Sequence, residues 1–442
     1  MKAEQAGEPG SAPIVKWAPD AACPQLEAFL RRRAFEPEAE AAAETVLAEI
    51  RESGDAAVLS AAARFDGVDL SAAQLKVTPA ELRNAREGVE RTFLTAAKEA
   101  HKRISRFAAS GLRKDWTIST PRGGLVGEQF VPFDRVGVYV PGGAAPLVST
   151  ALMTVTLAKV AGVLEVVACT PCDGEGRVNP SLLCALELAG ATEIYRIGGI
   201  QAIGAMAYGT ETVRAVQKIV GPGGPYVTAA KRLVYGRVAL DLVAGPSEIG
   251  VLADETAVAE HVAADLVSQA EHGTGLEKAL LVTPSERLVL AVQAALAAQA
   301  RRLSRAQAVW NVLRHGTLLV VVNTLDEGMA LCNRFAPEHL EIIVREPKTW
   351  LKKVRCAGEI LVGPWTPVVT GDFVAGPSHV LPTGGTARSF SGLTTETFRR
   401  RHSIVSFTRA DLKDVLPHIE ALGREEGLDA HVRSAQLRFS SQ

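Results

Sequence analysis

The chain has 442 residues, 47% of them hydrophobic, and its 48 Lys and Arg against 49 Asp and Glu leave a formal net charge of -1. That is enough apolar material for two or three cores at roughly 150 residues per domain, and the even charge, with no basic run interleaved with aromatics, excludes a nucleic-acid or anionic-membrane partner. No apolar run reaches the roughly 18 residues a membrane span needs, so a cytoplasmic enzyme acting on a small molecule is expected.

Residues 1–13 are polar and Gly/Pro-rich, which argues against a targeting segment. From Pro37 to Phe107 the Ala, Glu, Arg and Leu pattern predicts about three amphipathic helices, interrupted at Gly54 and Gly67. A break is expected over 113–127. Residues 135–143 then read as a buried strand running into a glycine turn.

The next hundred residues alternate. Helices are predicted at 149–161, 181–188, 201–208 and 227–234, and strands at 165–169, 193–197, 217–220 and 238–243. A second run of the same kind follows, with strands at 279–282, 317–322, 340–344 and 359–362. Short apolar strands alternating with helices point to parallel sheets covered on both faces. The fold class is therefore α/β, with two parallel-sheet domains and small extensions at either end. Residues 390–442 are too few to close a core alone and are expected to dock on something else. The six cysteines lie mostly in apolar segments and read as reduced, buried thiols. Cys169-Thr170-Pro171-Cys172 lacks the partner pair or thioredoxin-like context that a zinc or redox role requires.

Four segments gather polar side chains that a core does not ask for. In 268–273, Asp254 is a plausible N-cap for a helix over 257–271, with Gly273 just past its end. Gln269 and His272 then share a face, as metal ligands or as a plain helix-end hydrogen-bonding pair. Glu338 and His339 follow Pro337, between a helix at 327–335 and the strand at 340–344. They form either an acid/base couple or a helix-end histidine beside a solvated glutamate, and they lie at the amino end of their strand. The Gly- and Pro-rich segment 371–385 is a loop of fixed shape in which Asp372 and His379 can bind a cation or carry a proton. Glu426 and His431 sit in the terminal segment. Glycine turns at 141–143, 198–199, 221–224 and 244–247 each follow a strand, where nucleotides bind in doubly wound sheets, although none is a G-x-G-x-x-G and all could simply turn the chain.

Taken in order from about Val136 to His431, these segments resemble the histidinol dehydrogenase family. The resemblance implies two incomplete Rossmann-like domains, residues 31–135 with 248–390 and the inserted 136–247, between an N-terminal extension (1–30) and a C-terminal arm (391–442). It implies a homodimer that oxidises L-histidinol through the aldehyde to L-histidine, the last steps of histidine biosynthesis, with two NAD and one zinc ion per subunit. Gln269, His272, Asp372 and His431 would be the zinc ligands, His431 arriving from the partner subunit. His339 would be the catalytic base and Glu338 the group that activates water. Ser247, His379 and Glu426 would contact substrate alongside His339 and the zinc ligands, with Glu426 again crossing the dimer, and Tyr139, Gln201 and Gly224 would meet NAD. Gly224 and Ser378 stand where the family pattern has Asn. A related zinc- and NAD-dependent dehydrogenase for another polar alcohol, and a zinc hydrolase without NAD, are the competing readings.

Overall fold

A computed structural model describes residues 12–32, 37–142, 146–243, 245–272 and 274–440. Gly143, Ala244 and Gly273, which the sequence reading placed in turns and at a helix end, lie outside the described residues, as do residues 1–11. The chain groups into two units: Met1–Gly111 with Asp134–Phe398, and Leu112–Phe133 with Arg399–Gln442.

In chain order the strands begin with β1 (Ile14–Lys16), β2 (Trp116–Ser119) and β3 (Leu125–Pro132). β4 (Arg135–Tyr139), β5 (Glu165–Thr170), β6 (Glu193–Arg196), β7 (Lys218–Val220) and β8 (Ala239–Leu240) come next. β9 (Glu248–Ala253), β10 (Lys278–Thr283), β11 (Thr317–Val321), β12 (His339–Ile343), β13 (Glu359–Val362) and β14 (Arg399–Ser406) complete the series. Among the described residues the first unit holds two parallel sheets, in the orders β6-β5-β4-β7-β8 and β1-β11-β10-β9-β12-β13. Setting β1 aside, both follow the 3-2-1-4-5 order of a doubly wound half, with a topological switch at β4/β7 in one and β9/β12 in the other. The α/β class read from the sequence is what the chain adopts.

The strands form because nearly every position is apolar and both faces are covered. On β9 and β12, Val251 and Ile343 enter one core, while Leu252, Leu340 and Ile342 enter the core on the opposite face. Each such side chain, fully withdrawn from water, contributes roughly 1.5–3 kcal/mol.

The helix Pro37–Ala61 buries Ala39, Ala43, Val46, Leu47 and Ile50 at helical spacing. It packs on the helices Gly199–Tyr208 and Pro225–Val234 over the five-stranded sheet. The expected interruption at Gly54 is a kink, φ 52° and ψ -128°, where the Glu211 carboxylate accepts the Asp55 N–H at 2.8 Å. A side chain at position 54 would need this left-handed backbone and would collide with that carboxylate.

The sequence reading differs from the structure in two other places. Ile14–Lys16, read as part of an extension, forms an edge strand against β11. The break expected over 113–127 instead holds β2 and the start of β3, which join β14 in an antiparallel sheet of order β14-β3-β2. β2 is exposed at all four positions, so it carries no apolar alternation to read. In this second unit Asp411 completes a capping box with Thr408 at the head of the helix Arg409–Glu425 and accepts the N–H groups of Arg122 and Gly124, tying the helix to the β2–β3 turn.

Candidate active site

The helix Leu325–Phe335 ends at Ala336, whose left-handed φ of 48° is the only positive φ at a non-glycine among the described residues. Pro337 forbids helix continuation, and the chain turns directly into β12 at His339. Backbone bonds from Gly358 N to Pro337 O (3.0 Å) and Glu359 N to Glu338 O (2.8 Å) clamp this corner to β13. From the other side, Glu248 N–H donates to Glu338 Oε2 at 3.0 Å. The Glu248 carboxylate is held by Arg32 at 2.6 Å in a buried ion pair.

His339, 2% exposed, is the centre of the arrangement. Its Nδ1 lies 3.1 Å from Glu359 Oε2, and its Nε2 lies 3.9 Å from Glu338 Oε1 and 3.7 Å from Asp372 Oδ1. Burial alone would push its pKa down, but the carboxylates of Glu338, Glu359 and Asp372 outweigh it and draw the imidazole up to about 9. Burial raises Glu338 to about 8, against the opposing pull of His339. Protonated His339 and ionised Glu338 therefore support one another, and either charge weakens when the other is lost.

Asp372 stands near the end of the short helix Val368–Phe373. Its backbone carbonyl, which can only accept, lies 3.0 Å from Nδ1 of His379, so that nitrogen carries hydrogen and Nε2 accepts from the Thr150 hydroxyl at 2.9 Å. Burial lowers the His379 pKa, and the charges of Asp372, His339 and His272 all reach it.

The helix Ala259–Ala270 carries Gln269 in its last turn. It starts later than expected, with Val258 at its N-cap. Asp254 does not cap it, because its carboxylate is taken up by the N–H groups of Thr256 (2.9 Å) and Arg345 (2.8 Å). Gln269 is 1% exposed, and its Oε1 has no hydrogen-bond partner among the described residues, the state expected of an oxygen that a cation would satisfy. His272 follows the helix, its N–H bonded to Gln269 O at 3.3 Å and its side chain exposed. Among the described residues no three His, Cys, Asp or Glu side chains close on one point, and the sequence-predicted set contains a glutamine. Ser247 precedes β9, half-buried, beside the Glu248 amide that holds Glu338. Glu426 and His431 lie in the second unit, both exposed.

The glycine turns at 198–199 and 221–224 follow β6 and β7 at the carboxyl edge of the five-stranded sheet. At the end of β4, the Tyr139 hydroxyl accepts Gly199 N–H at 3.2 Å, and burial pushes its pKa up to about 12. Gln201 is 1% exposed and donates to Asp66 at 2.9 Å. Gly221, at φ 115°, sits where any Cβ would strike the Tyr139 carbonyl. Its N–H and carbonyl are both engaged by the fully buried pair Asp241 and Lys231, which are 2.6 Å apart. Gly224 opens the helix Pro225–Val234, and beyond its chain neighbours no atom of the described residues lies within 4 Å of where its Cβ would be.

Sequence reasoning missed Glu359, Glu248, Thr150 and Arg32. For Glu359 and Glu248 the only signal was a single charge at the head of an apolar strand, and Thr150 and Arg32 gave none. Cys169 is fully buried and pushed to about 12, and Cys172 is also a free thiol.

A profile of the histidinol dehydrogenase family matches residues 30–439. The chain belongs to the histidinol dehydrogenase family. It is 44% identical over 425 residues to histidinol dehydrogenase of Symbiobacterium thermophilum, covering 96% of each chain. With that of Heliobacterium mobile it shares 44% over 394 residues, covering 89% of this chain and 92% of the relative. The crystal structure of histidinol dehydrogenase from Elizabethkingia anophelis superposes with a TM-score of 0.92 at 33% identity, over 97% of this chain and 98% of that one. As a member of the histidinol dehydrogenase family the chain is an oxidoreductase of histidine biosynthesis.

Proposed function

We propose that this chain oxidises L-histidinol through L-histidinaldehyde to L-histidine, taking up one water and passing four electrons to two NAD, as a cytoplasmic homodimer with one zinc ion per subunit. The observation that carries the reading is the setting of His339. Its Nδ1 is tied to Glu359 and its Nε2 faces Glu338 and Asp372, which suits a base that takes a proton first from the alcohol and then from the aldehyde hydrate. Glu338, buried and drawn up to about 8, is suited to accept a proton from the water that adds to the aldehyde.

Gln269, His272 and Asp372, with His431 of the other protomer, would hold zinc, and the unpartnered Gln269 Oε1 is the feature that fits. When bound, zinc would orient the imidazole and amine of the substrate, and NAD would accept the electrons. Ser247, His379 and Glu426 would contact the substrate. Tyr139, Gln201 and Gly224 mark the edge for NAD, although Gln201 is engaged by Asp66 here and would have to turn to reach it. On this reading the two parallel sheets act as two Rossmann-like domains.

The test is NADH formation from L-histidinol and NAD by intact and by chelated protein. About two NADH per histidinol, abolished by chelation and restored by zinc, is the expected result. No NADH from zinc-loaded protein would overturn the reading, and turnover without NAD would favour hydrolysis.

A further inference from the structure

Three elements of the candidate site meet a second time, one repeat deeper in the fold. Glu341 follows His339 by two positions on β12 and leaves the same sheet face; Asp265 lies one helical turn before Gln269; and Val368 lies one turn before Asp372. The Asp265 and Glu341 carboxyl groups are close enough to act on each other as hydrogen-bonding neighbours, and the Val368 amide also bears on Asp265. Asp265 is 6% exposed and Glu341 1%.

Two carboxylates can be bonded in this way only if one carries a proton, because an ionised carboxylate has nothing to donate. The core around them is apolar, with Val251 and Leu361 beside Glu341 on the sheet, Val368 at the head of its helix and Val292 on the neighbouring helix. His261, one turn back on the same helix, is the other titratable group acting on Asp265. The second Glu341 oxygen has no hydrogen-bond partner among the described residues to compensate a second negative charge.

We propose that Asp265 and Glu341 form a positioning pair, whose shared proton pins β12 and the Gln269 and Asp372 helices at one point and so sets the spacing of His339, Gln269 and Asp372. The proposal rests on the reading of those three as site residues. It also gives the pair a direction with pH. Burial raises both acids above the values they have unfolded, so the stabilisation is complete below the lower unfolded value, 3.8 for Asp265, and is lost as pH rises towards the raised folded values.

The experiment uses full-length, zinc-loaded protein and two variants. Glu341→Gln keeps a donor for Asp265 but cannot ionise; Glu341→Leu keeps the volume but removes the bond. Between about pH 5 and about pH 9 the thermal midpoint of the wild type should fall more steeply than that of Glu341→Gln. Glu341→Leu should lose zinc and lower kcat on the order of 10²-fold while KM for NAD is unchanged, and Gln should restore most of the rate. Superimposable pH profiles for wild type and Glu341→Gln would overturn the proposal, as would wild-type zinc content and kcat in a folded Leu variant. Should the Leu variant not fold, the pH comparison decides. If the wild type oxidises no histidinol, the functional reading fails, and the pH comparison still decides the pair.

Discussion

His339 and Glu359 are partners in register on adjacent parallel strands, and their side chains meet at 3.1 Å between Nδ1 and Oε2. Glu359 Oε2 faces Nδ1, so in the neutral ring the hydrogen sits on Nδ1 and the lone pair on Nε2, the nitrogen that faces Glu338 and Asp372, whereas the protonated ring favoured by the surrounding carboxylates carries hydrogen on both. Glu359 thus selects the tautomer that can act as a base. Gly371 guards this contact, because a Cβ there would run into the Glu359 carboxylate. Gly371→Ala is expected to lower kcat on the order of 10²-fold with an unchanged circular dichroism spectrum, and Glu359→Ala to do the same, while Glu359→Gln, which can still accept, keeps more activity. Steady-state kinetics of the three variants make the comparison.

Glu338→Gln keeps an acceptor for the Glu248 amide but removes the proton-accepting carboxylate. Turnover should fall by about 10²–10⁴-fold with zinc content unchanged. Kinetics combined with metal analysis would reject the assigned role if turnover stayed normal.

His272→Ala and His431→Ala should each lose zinc and activity together. If His431 serves the other protomer, mixing inactive His431→Ala subunits with inactive His339→Ala subunits should restore activity, since a mixed dimer then holds one complete site. Persistent inactivity after exchange, verified by native mass spectrometry, would count against a shared site.

Lys231 and Asp241 are a buried pair that holds both backbone groups of Gly221. Lys231→Met strands a buried carboxylate and should cost ~3–5 kcal/mol in a urea titration. It should also free the 221–224 turn and raise KM for NAD more than KM for histidinol. Lys231→Met with Asp241→Leu should recover stability without recovering NAD affinity.

Hydrogen bonds from Arg135 and Tyr195 lower the Glu193 carboxyl to about 2, against the penalty of its burial. A depressed carboxylate contributes stability above its unfolded value, near 4.5, and loses that contribution as pH falls through about 2. Acid titration followed by tryptophan fluorescence should show wild type losing this advantage over Glu193→Gln as the pH drops through that window.

How much of this was legible varies with the element. β4, β10 and β12 could be read because each is a short, mostly apolar run buried on both faces. β1 is three residues long and β2 is exposed throughout, so neither carries a period. Glu338, His339, Asp372 and His379 stood out because Pro- or Gly-containing sequence flanks them, although Asp372 is in the helix Val368–Phe373 and His339 opens β12. Glu359 and Glu341 did not, since a single carboxylate in or before an apolar strand does not reveal what lies across the sheet from it. Asp254 looked like a helix cap from its position, but the Arg345 amide, ninety-one residues away, claims its carboxylate.

The register of β1 bears on how the chain emerges from a ribosome. Ile14 is among the first described residues to be synthesised, yet its partner Leu319 leaves the exit tunnel some three hundred residues later. β3 likewise waits for β14, since Leu125 pairs with Ser406. All five strands of the β4–β8 sheet, by contrast, lie between Arg135 and Leu240. Vectorial synthesis therefore favours that sheet as the first to close, and the nascent amino-terminal segment must stay unpaired and shielded from other chains until β11 arrives.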